Sequence, residues 1–373
     1  MKIEPFAVEI WMNAHETRCQ YNIAESCVDS ITLGALLDLA GRPDVLAELR
    51  SRRLTYGDIE GAERLRAAIA ALYDDVTIDR VVTTHGAIGA NALLYDALIA
   101  PGDEMVAVVP TYQQHVSIAE SRGAQVKRLQ LRRERGYLPD LDELARLVTP
   151  RTRLIALTNP NNPTGAVIER PMLQAIAEIA ARHNAWVVCD EVYRGVNQDG
   201  DAPGPSIVDL YERGIAVGSM SKAFALAGLR LGWIVAPHEV REAVLLHRDY
   251  STISVGMLDE HFATLALEHR EALLARNRGI VRTNLALLEA WLAHEPRLSW
   301  VKPRGGTVTL LDYDLAMPSR ELCTRLLQEA GVLLMPGSAL GMEGTVRIGF
   351  GNATAALRDG LAATSRFLAA LPG

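Results

Sequence analysis

Between residues 81 and 236 the chain repeats one pattern: a short apolar run, a polar or glycine/proline stop, then a helical stretch. The runs are Val81–Thr84, Met105–Val109, Val126–Leu131, Leu154–Thr158, Trp186–Cys189, Ile215–Gly218 and Gly232–Ala236. Strands that line a core on one side only alternate apolar with polar residues. Most of these runs do not alternate, so both faces of the sheet are expected to be buried. Helix-separated strands of that kind build a mostly parallel sheet with helices on either side, a three-layer α/β arrangement.

The flanking sequence has a different texture. Ile10, Met12 and the acids around them suit a short helix, and residues 21–26 an extended segment. From Glu60, Leu65, Ile69 and Leu72 recur at helical spacing. Residues 257–295 are helix-rich and contain no proline. Beyond them, strand-like pieces (Ser299–Lys302, Thr307–Tyr313, Val332–Met335, Val346–Phe350) alternate with helices near 319–330 and 353–370. The expected organisation is a large α/β domain over 42–256 and a smaller α+β domain made of 1–41 plus 257–373. The loop 197–205, rich in Gly, Asp and Pro, is expected to be exposed.

A net charge of −7 argues against non-specific nucleic-acid binding, which needs a positive field. No apolar stretch is long enough to span a membrane, and the start, with Glu4 and Pro5, does not read as a signal peptide. The four cysteines lack metal-finger or redox-motif spacing, and no histidines cluster as ligands, so no metal is expected. A cytoplasmic protein with reduced thiols is the expectation.

In a parallel sheet, ligands bind at the carboxyl ends of the strands. There this chain has Gly86-Ala87, Thr111-Tyr112, Asn159 to Gly165, Asp190 to Tyr193, and Ser219 to Lys222. One lysine, one aspartate, one tyrosine, one asparagine and small residues suited to phosphate would all serve a phosphorylated, cationic aromatic ring bearing a carbonyl. Pyridoxal 5'-phosphate is such a molecule.

The order of these pieces is also distinctive. Asn-Pro-Asn-Asn-Pro-Thr-Gly at 159–165, Asp-Glu-Val-Tyr at 190–193, Ser-Met-Ser-Lys at 219–222, Arg230 and Val-Arg-Ile-Gly-Phe at 346–350 resemble the class I/II aminotransferases, pyridoxal-phosphate enzymes of fold type I. The resemblance extends over nearly the whole chain. It implies that Lys222 forms the Schiff base with the cofactor and later moves the substrate's proton, which requires a desolvated lysine near positive charge. It implies that Asp190 keeps the pyridine nitrogen protonated, so that the ring accepts carbanion electrons. Tyr193 and Asn162 would donate to the ring hydroxyl oxygen, although Asn162 also suits the turn before Pro163.

Gly86 and Ala87, at a helix N-terminus, would bind the phosphate with Ser219, Ser221 and Arg230, Ser221 being the weaker assignment. Tyr112 would stack on the ring. Tyr56 resembles the tyrosine that reaches the phosphate in the neighbouring subunit, which implies a homodimer with shared active sites; the alternative is a core tyrosine. Arg347 would clamp the substrate carboxylate, with Asn162 and Glu25 as further substrate contacts. His115 is either a pocket neighbour or an ordinary helical histidine.

Gly-Ala at 86–87 replaces the Ser/Thr often found there, and the segment 22–27 departs from aspartate-type relatives. Glu25 would favour a cationic side chain. The N-terminal stretch is similar to that of capreomycidine-synthase-like enzymes, which cyclise a hydroxylated arginine with the same cofactor. Two fates of the substrate carbanion therefore stay open. One is amino transfer between an L-amino acid and a 2-oxo acid; the other is elimination, cyclisation or oxidation. A ligand-sensing regulator and a nicotinamide-dependent enzyme are the more distant alternatives. Against the first stand the roughly forty residues that precede the core, few for the winged helix such regulators carry, and the net charge of −7; against the second, Gly86 to Gly89 does not match the dinucleotide fingerprint.

Overall fold

The seven apolar runs become one sheet. A computed structural model describes residues 2–371; Met1, Pro372 and Gly373, at the ends of the expected smaller domain, lie outside the described residues. The strands are β1 (Tyr21–Asn22), β2 (Val81–Thr84), β3 (Glu104–Val109), β4 (Gln125–Gln130), β5 (Thr152–Thr158), β6 (Trp186–Asp190), β7 (Gly214–Ser219), β8 (Gly232–Val235), β9 (Leu298–Trp300), β10 (Val308–Tyr313), β11 (Val332–Leu333), β12 (Met335–Pro336) and β13 (Thr345–Gly349). The large sheet runs β2-β8-β7-β6-β5-β3-β4. Its pairs are parallel except those of β8, which is antiparallel to both β2 and β7.

Successive residues of the central strands enter two different cores. Val106, Val108, Ile155, Leu157, Val187 and Cys189 face one side. Met105, Ala107, Leu154, Ala156, Trp186 and Val188 face the other. Leu94 and Tyr95 of the helix Gly86–Leu98, with Val240 and Val244 of His238–Arg248, cover the second side. Leu173 and Ile176 of Arg170–Ala181 lie in the first core. This is the three-layer, mostly parallel α/β fold, and two-sided burial is why its central strands read as unbroken apolar runs; the edge strand β4, with Lys127, Arg128 and Gln130, is instead largely exposed, contrary to the expectation.

The reversal of β8 brings an arginine-bearing turn to the ligand edge. Its beginning, not its end, shares that edge with the carboxyl ends of β2, β5, β6 and β7. Arg230, two residues before β8, is thereby carried there.

A second, antiparallel sheet runs β12-β13-β10-β9. Beside it, β1 pairs in parallel with β11, Tyr21 opposite Val332. The N-terminal segment then continues along β13, where the Gly349 amide donates to Ile23 O at 2.8 Å. The approach is so close that a Cβ at position 349 would overlap Glu25 O. The expected single strand 332–335 divides in two, because β11 pairs with β1 while β12 pairs with β13. The helix-rich stretch after 257 is two helices, Met257–Glu268 and Arg270–Leu292, parted at His269. Among the described residues, no helix is long and apolar enough to cross a membrane.

Candidate active site

The strand ends and the N-terminal segment enclose a cleft of about 320 Å³. Lys222, three residues beyond β7, is half-buried at its centre. Its Nζ donates to Ser26 Oγ at 2.9 Å and to Cys27 Sγ at 3.3 Å. Burial opposes the ammonium form, but Cys27, Tyr193 and Glu25 outweigh it, and the amine is held above the ordinary lysine value. Burial in turn pushes the Cys27 thiol and the Tyr193 hydroxyl up. Glu25 is therefore the neighbour that is ionised near neutral pH. Its own burial is overcome by Lys222 and by the donors around it, so its carboxyl sits low. Glu25 Oε1 accepts from the amides of Ser26 and Cys27, at 2.8 and 3.0 Å.

Asp190 closes β6 and is 5% exposed. Its Oδ1 accepts from the Val192 amide at 3.2 Å, and Oδ2 from Asn91 Nδ2 at 3.1 Å. His115 Nε2 faces the same oxygen at 3.4 Å, while its Nδ1 lies 2.8 Å from Tyr95 Oη. Burial and nearby Asp190 keep the Tyr95 hydroxyl protonated. A phenol that donates to Nδ1 leaves the imidazole proton on Nε2, on the carboxylate's side but without a hydrogen bond to it.

Arg347 reaches the cleft from β13. Its Nη1 donates to Asn162 Oδ1 at 3.1 Å and its Nη2 to Ala24 O at 2.9 Å. With Oδ1 so engaged, Asn162 turns its amide nitrogen to other acceptors. Tyr193 is 1% exposed, and its hydroxyl has no partner among the described residues. Tyr112 Oη donates to Glu9 Oε1 at 2.6 Å, and its ring leans on Phe6 with centroids 4.7 Å apart.

At the other end of the cleft, Arg230 Nη1 lies 3.5 Å from Ser221 Oγ. The helix Gly86–Leu98 begins here with no side-chain cap, so its first amides are free for an anion. Gly86 has φ +66°, and a Cβ there would stand 2.9 Å from Arg230 Nη2. The left-handed backbone favours glycine at this position, and a side chain there would make the Arg230 guanidinium shift.

The structure departs from the sequence reading in two places. Ser219 faces a neighbouring cavity beside Trp233 and Glu191, and its Oγ accepts from the Ser221 amide; Ser221, the weaker assignment, is the serine that lines the cleft beside Arg230. Lys222 has a carboxylate beside it rather than the expected positive charge. Of the two readings left open for His115, the structure takes the one outside the pocket: it sits on a helix behind Asp190 and does not line the cleft. Tyr56 is 74% exposed and lies outside this chain's own cleft, so it is not the core tyrosine that was its alternative reading.

Sequence reasoning missed Asn91, Ser26 and Cys27, which carried no motif. It also missed Glu9 and Glu16, whose signal was present as an acidic i, i+7 pair on the N-terminal helix.

Known proteins share this architecture. The family "Aminotransferase class I and II" matches residues 33–363. Capreomycidine synthase of Streptomyces vinaceus is 33% identical over 97% of this chain and 93% of its own. Among solved structures, a PLP-dependent aminotransferase from Streptococcus suis superposes with a TM-score of 0.97 at 40% identity, covering 100% of both chains. The PLP-dependent cyclase OrfR superposes at 0.90 with 31% identity, over 99% of this chain and 98% of its own.

Enzymes of this family depend on pyridoxal 5'-phosphate. The residues here fit that group. The unpartnered Tyr193 hydroxyl lacks the polar atom a ring oxygen would offer. The uncapped helix start beside Arg230 suits a phosphate, and Asp190, anchored by two donors, suits a cationic ring nitrogen.

Proposed function

This chain belongs to the class I and II aminotransferases, and we propose that within them it moves an amino group between an L-amino acid and a 2-oxo acid. The observation that carries this reading is the convergence of Lys222, Asp190, Tyr193 and Arg347 on one cleft. When bound, the cofactor supplies an aldehyde that condenses with amines and a protonated ring that accepts electrons released at the substrate Cα.

Each of the chain's own residues has a part in this reading. Lys222 holds the cofactor through Nζ, and as a free amine takes the proton from the substrate Cα and returns one. Asp190 sustains positive charge on the ring nitrogen, its orientation set by Asn91 and Val192. Tyr193 Oη and Asn162 Nδ2 donate to the ring oxygen. Arg230, Ser221 and the amides at Gly86 and Ala87 hold the phosphate. Tyr112 covers a ring face, its plane fixed by the bond to Glu9. Arg347 grips the substrate carboxylate and so orients the Cα–H bond. Tyr56, on the outside of this chain, reaches the phosphate site of a second copy in a homodimer.

A second reading is favoured by the likeness to capreomycidine synthase and to the cyclase OrfR. There the same residues release the Cα proton, but the carbanion expels a β-substituent or closes a ring. One experiment separates the two. The loaded enzyme is mixed with an amino acid and no acceptor. Amino transfer yields one equivalent of 2-oxo acid per site and then stops until a second 2-oxo acid is added. Continued turnover with ammonia release or a cyclic product, without an acceptor, overturns the first reading in favour of the second.

A further inference from the structure

Beside the cleft lies a second cavity, of about 800 Å³. One turn of chain serves both chambers: Asp190 lines the cleft, Glu191 lines the cavity, and Val192 lies in the wall of each. Phe224, Trp233 and, from the helix Arg270–Leu292, Leu274 give the cavity apolar walls. A space of this size, apolar with a few polar groups, suits a small organic molecule. Glu191 has no part in the proposed amino transfer.

The charges of this cavity are compensated at its mouth and not within. At the mouth, Arg170 pairs with Asp74 at 3.6 Å and Arg278 with the exposed Asp201 at 3.3 Å. Deeper in, Glu191 is 4% exposed. Its Oε1 accepts from Ser206 Oγ at 2.8 Å and from the Ile207 amide at 3.0 Å, but its Oε2 has no hydrogen-bond partner among the described residues. The nearest cation, Arg194, stands 4.0 Å from that oxygen, and its donors are spent elsewhere: Nε on Gly204 O and Nη1 on Leu72 O, both at 2.7 Å. Asp209 repeats the situation. Its Oδ1 accepts from the Asp74 amide at 3.0 Å, and its buried Oδ2 has no partner. Burial pushes both carboxyls up, Glu191 to about 7, and Asp209 adds to the rise at Glu191. A buried carboxylate oxygen left without a donor costs stability until one arrives. Among the described residues no set of side chains is placed to chelate a metal ion, so the absent donor is an N–H group on an organic cation.

We propose that this cavity is a second ligand site, separate from the cleft, that takes a small organic cation: an N–H-bearing head, amidinium or ammonium, on Glu191 and Asp209, and an apolar body against Phe224, Trp233 and Leu274. The aromatic walls add attraction for a cation beyond the area they cover. The site stands whether or not the cleft performs amino transfer.

The test uses holoenzyme reduced with borohydride, so that no probe amine can react with the cofactor. The probes are benzamidine, benzylamine and the neutral benzamide, and binding is measured calorimetrically. The expected result is that the better of the two cations binds about 10–100-fold tighter than benzamide, the range for a hydrogen bond to a charged group. Benzamidine ahead of benzylamine assigns a planar, forked head; the reverse order assigns an ammonium. Glu191→Gln and Asp209→Asn, which keep the acceptors for Ser206, Ile207 and the Asp74 amide, each shrink the ratio of cation to amide, and the double variant brings it close to one. Leu274→Trp fills the cavity from its wall and abolishes binding of all three. Melting temperature and cofactor loading confirm that each variant is folded; if the double variant does not fold, Leu274→Trp decides. No binding by the wild type, equal binding of the cations and benzamide, a ratio unchanged in the folded double variant, or binding that survives Leu274→Trp each overturns the site.

Discussion

Cys27 Sγ lies 3.3 Å from Lys222 Nζ, which sets a thiol directly against the lysine proposed to hold the cofactor. Burial raises the thiol's pKa even though Lys222 favours the thiolate. Alkylation of Cys27 by iodoacetamide should therefore be slow at pH 7 and accelerate through the alkaline range, with cofactor protecting it. Peptide mass spectrometry checks this. Rapid labelling at pH 7 would mean a thiolate paired with the Lys222 ammonium instead.

Glu25 is the ionised neighbour that favours the charged form of Lys222. Removing its charge removes that preference, so Glu25→Gln should let Lys222 lose its proton at lower pH. The neutral amine is the species that captures an aldehyde. Covalent cofactor capture, trapped by borohydride and read as peptide mass, should shift its pH profile downward in the variant. An unshifted profile would remove Glu25 from the account.

Gly86→Ala forces a side chain into a left-handed backbone and against Arg230. The strain costs about 1–3 kcal/mol, and displacing Arg230 weakens the phosphate grip. A lower melting temperature together with weaker cofactor retention in dialysis is expected. A lower melting temperature with unaltered retention would separate Gly86 from the phosphate site.

Arg347→Ala should raise KM for the amino acid about 10–100-fold through loss of charged hydrogen bonds. Cofactor loading should change far less, because the guanidinium touches Asn162 and Ala24 rather than the residues proposed for the phosphate. Saturation kinetics beside absorbance titration of the cofactor distinguish the two effects.

Glu191 is a buried carboxyl outside the cleft. Burial pushes it up to about 7, against the pull of Arg194, the Ile207 amide and Ser206. The folded state therefore holds a proton that the unfolded chain has released above its ordinary carboxylate range. The resulting stability is present in acid and lost as pH rises towards 7, on the order of 3 kcal/mol. Urea melts at pH 5 and pH 8 should show this decline, and Glu191→Gln should flatten it.

How far the sequence could be read depended on where each contact is made. The centre of the large sheet was legible because burial on both faces leaves an unbroken apolar run, and a strand end is also a ligand site. Lys222, Asp190, Tyr193 and Arg230 all lie at or beside such ends. The N-terminal segment was not legible, because its partners are distant in sequence: Tyr21 pairs with Val332, and Ser26 bonds Lys222. Nothing local distinguishes Ser26 and Cys27 from ordinary turn residues. The exchange between Ser219 and Ser221 depends on how the chain turns out of β7, which spacing alone does not encode.

The β1–β11 pairing has a consequence for synthesis. Residues 21–27 leave the ribosome early, but their docking partners on β11 and β13 are translated roughly 15–60 seconds later at ordinary elongation rates. Until then Lys222, Asp190 and Arg230 stand at an open sheet edge, without Arg347 and without the helix that walls the cleft. The nascent enzyme is thus held unfinished until an early segment and a much later one dock together to complete its active site.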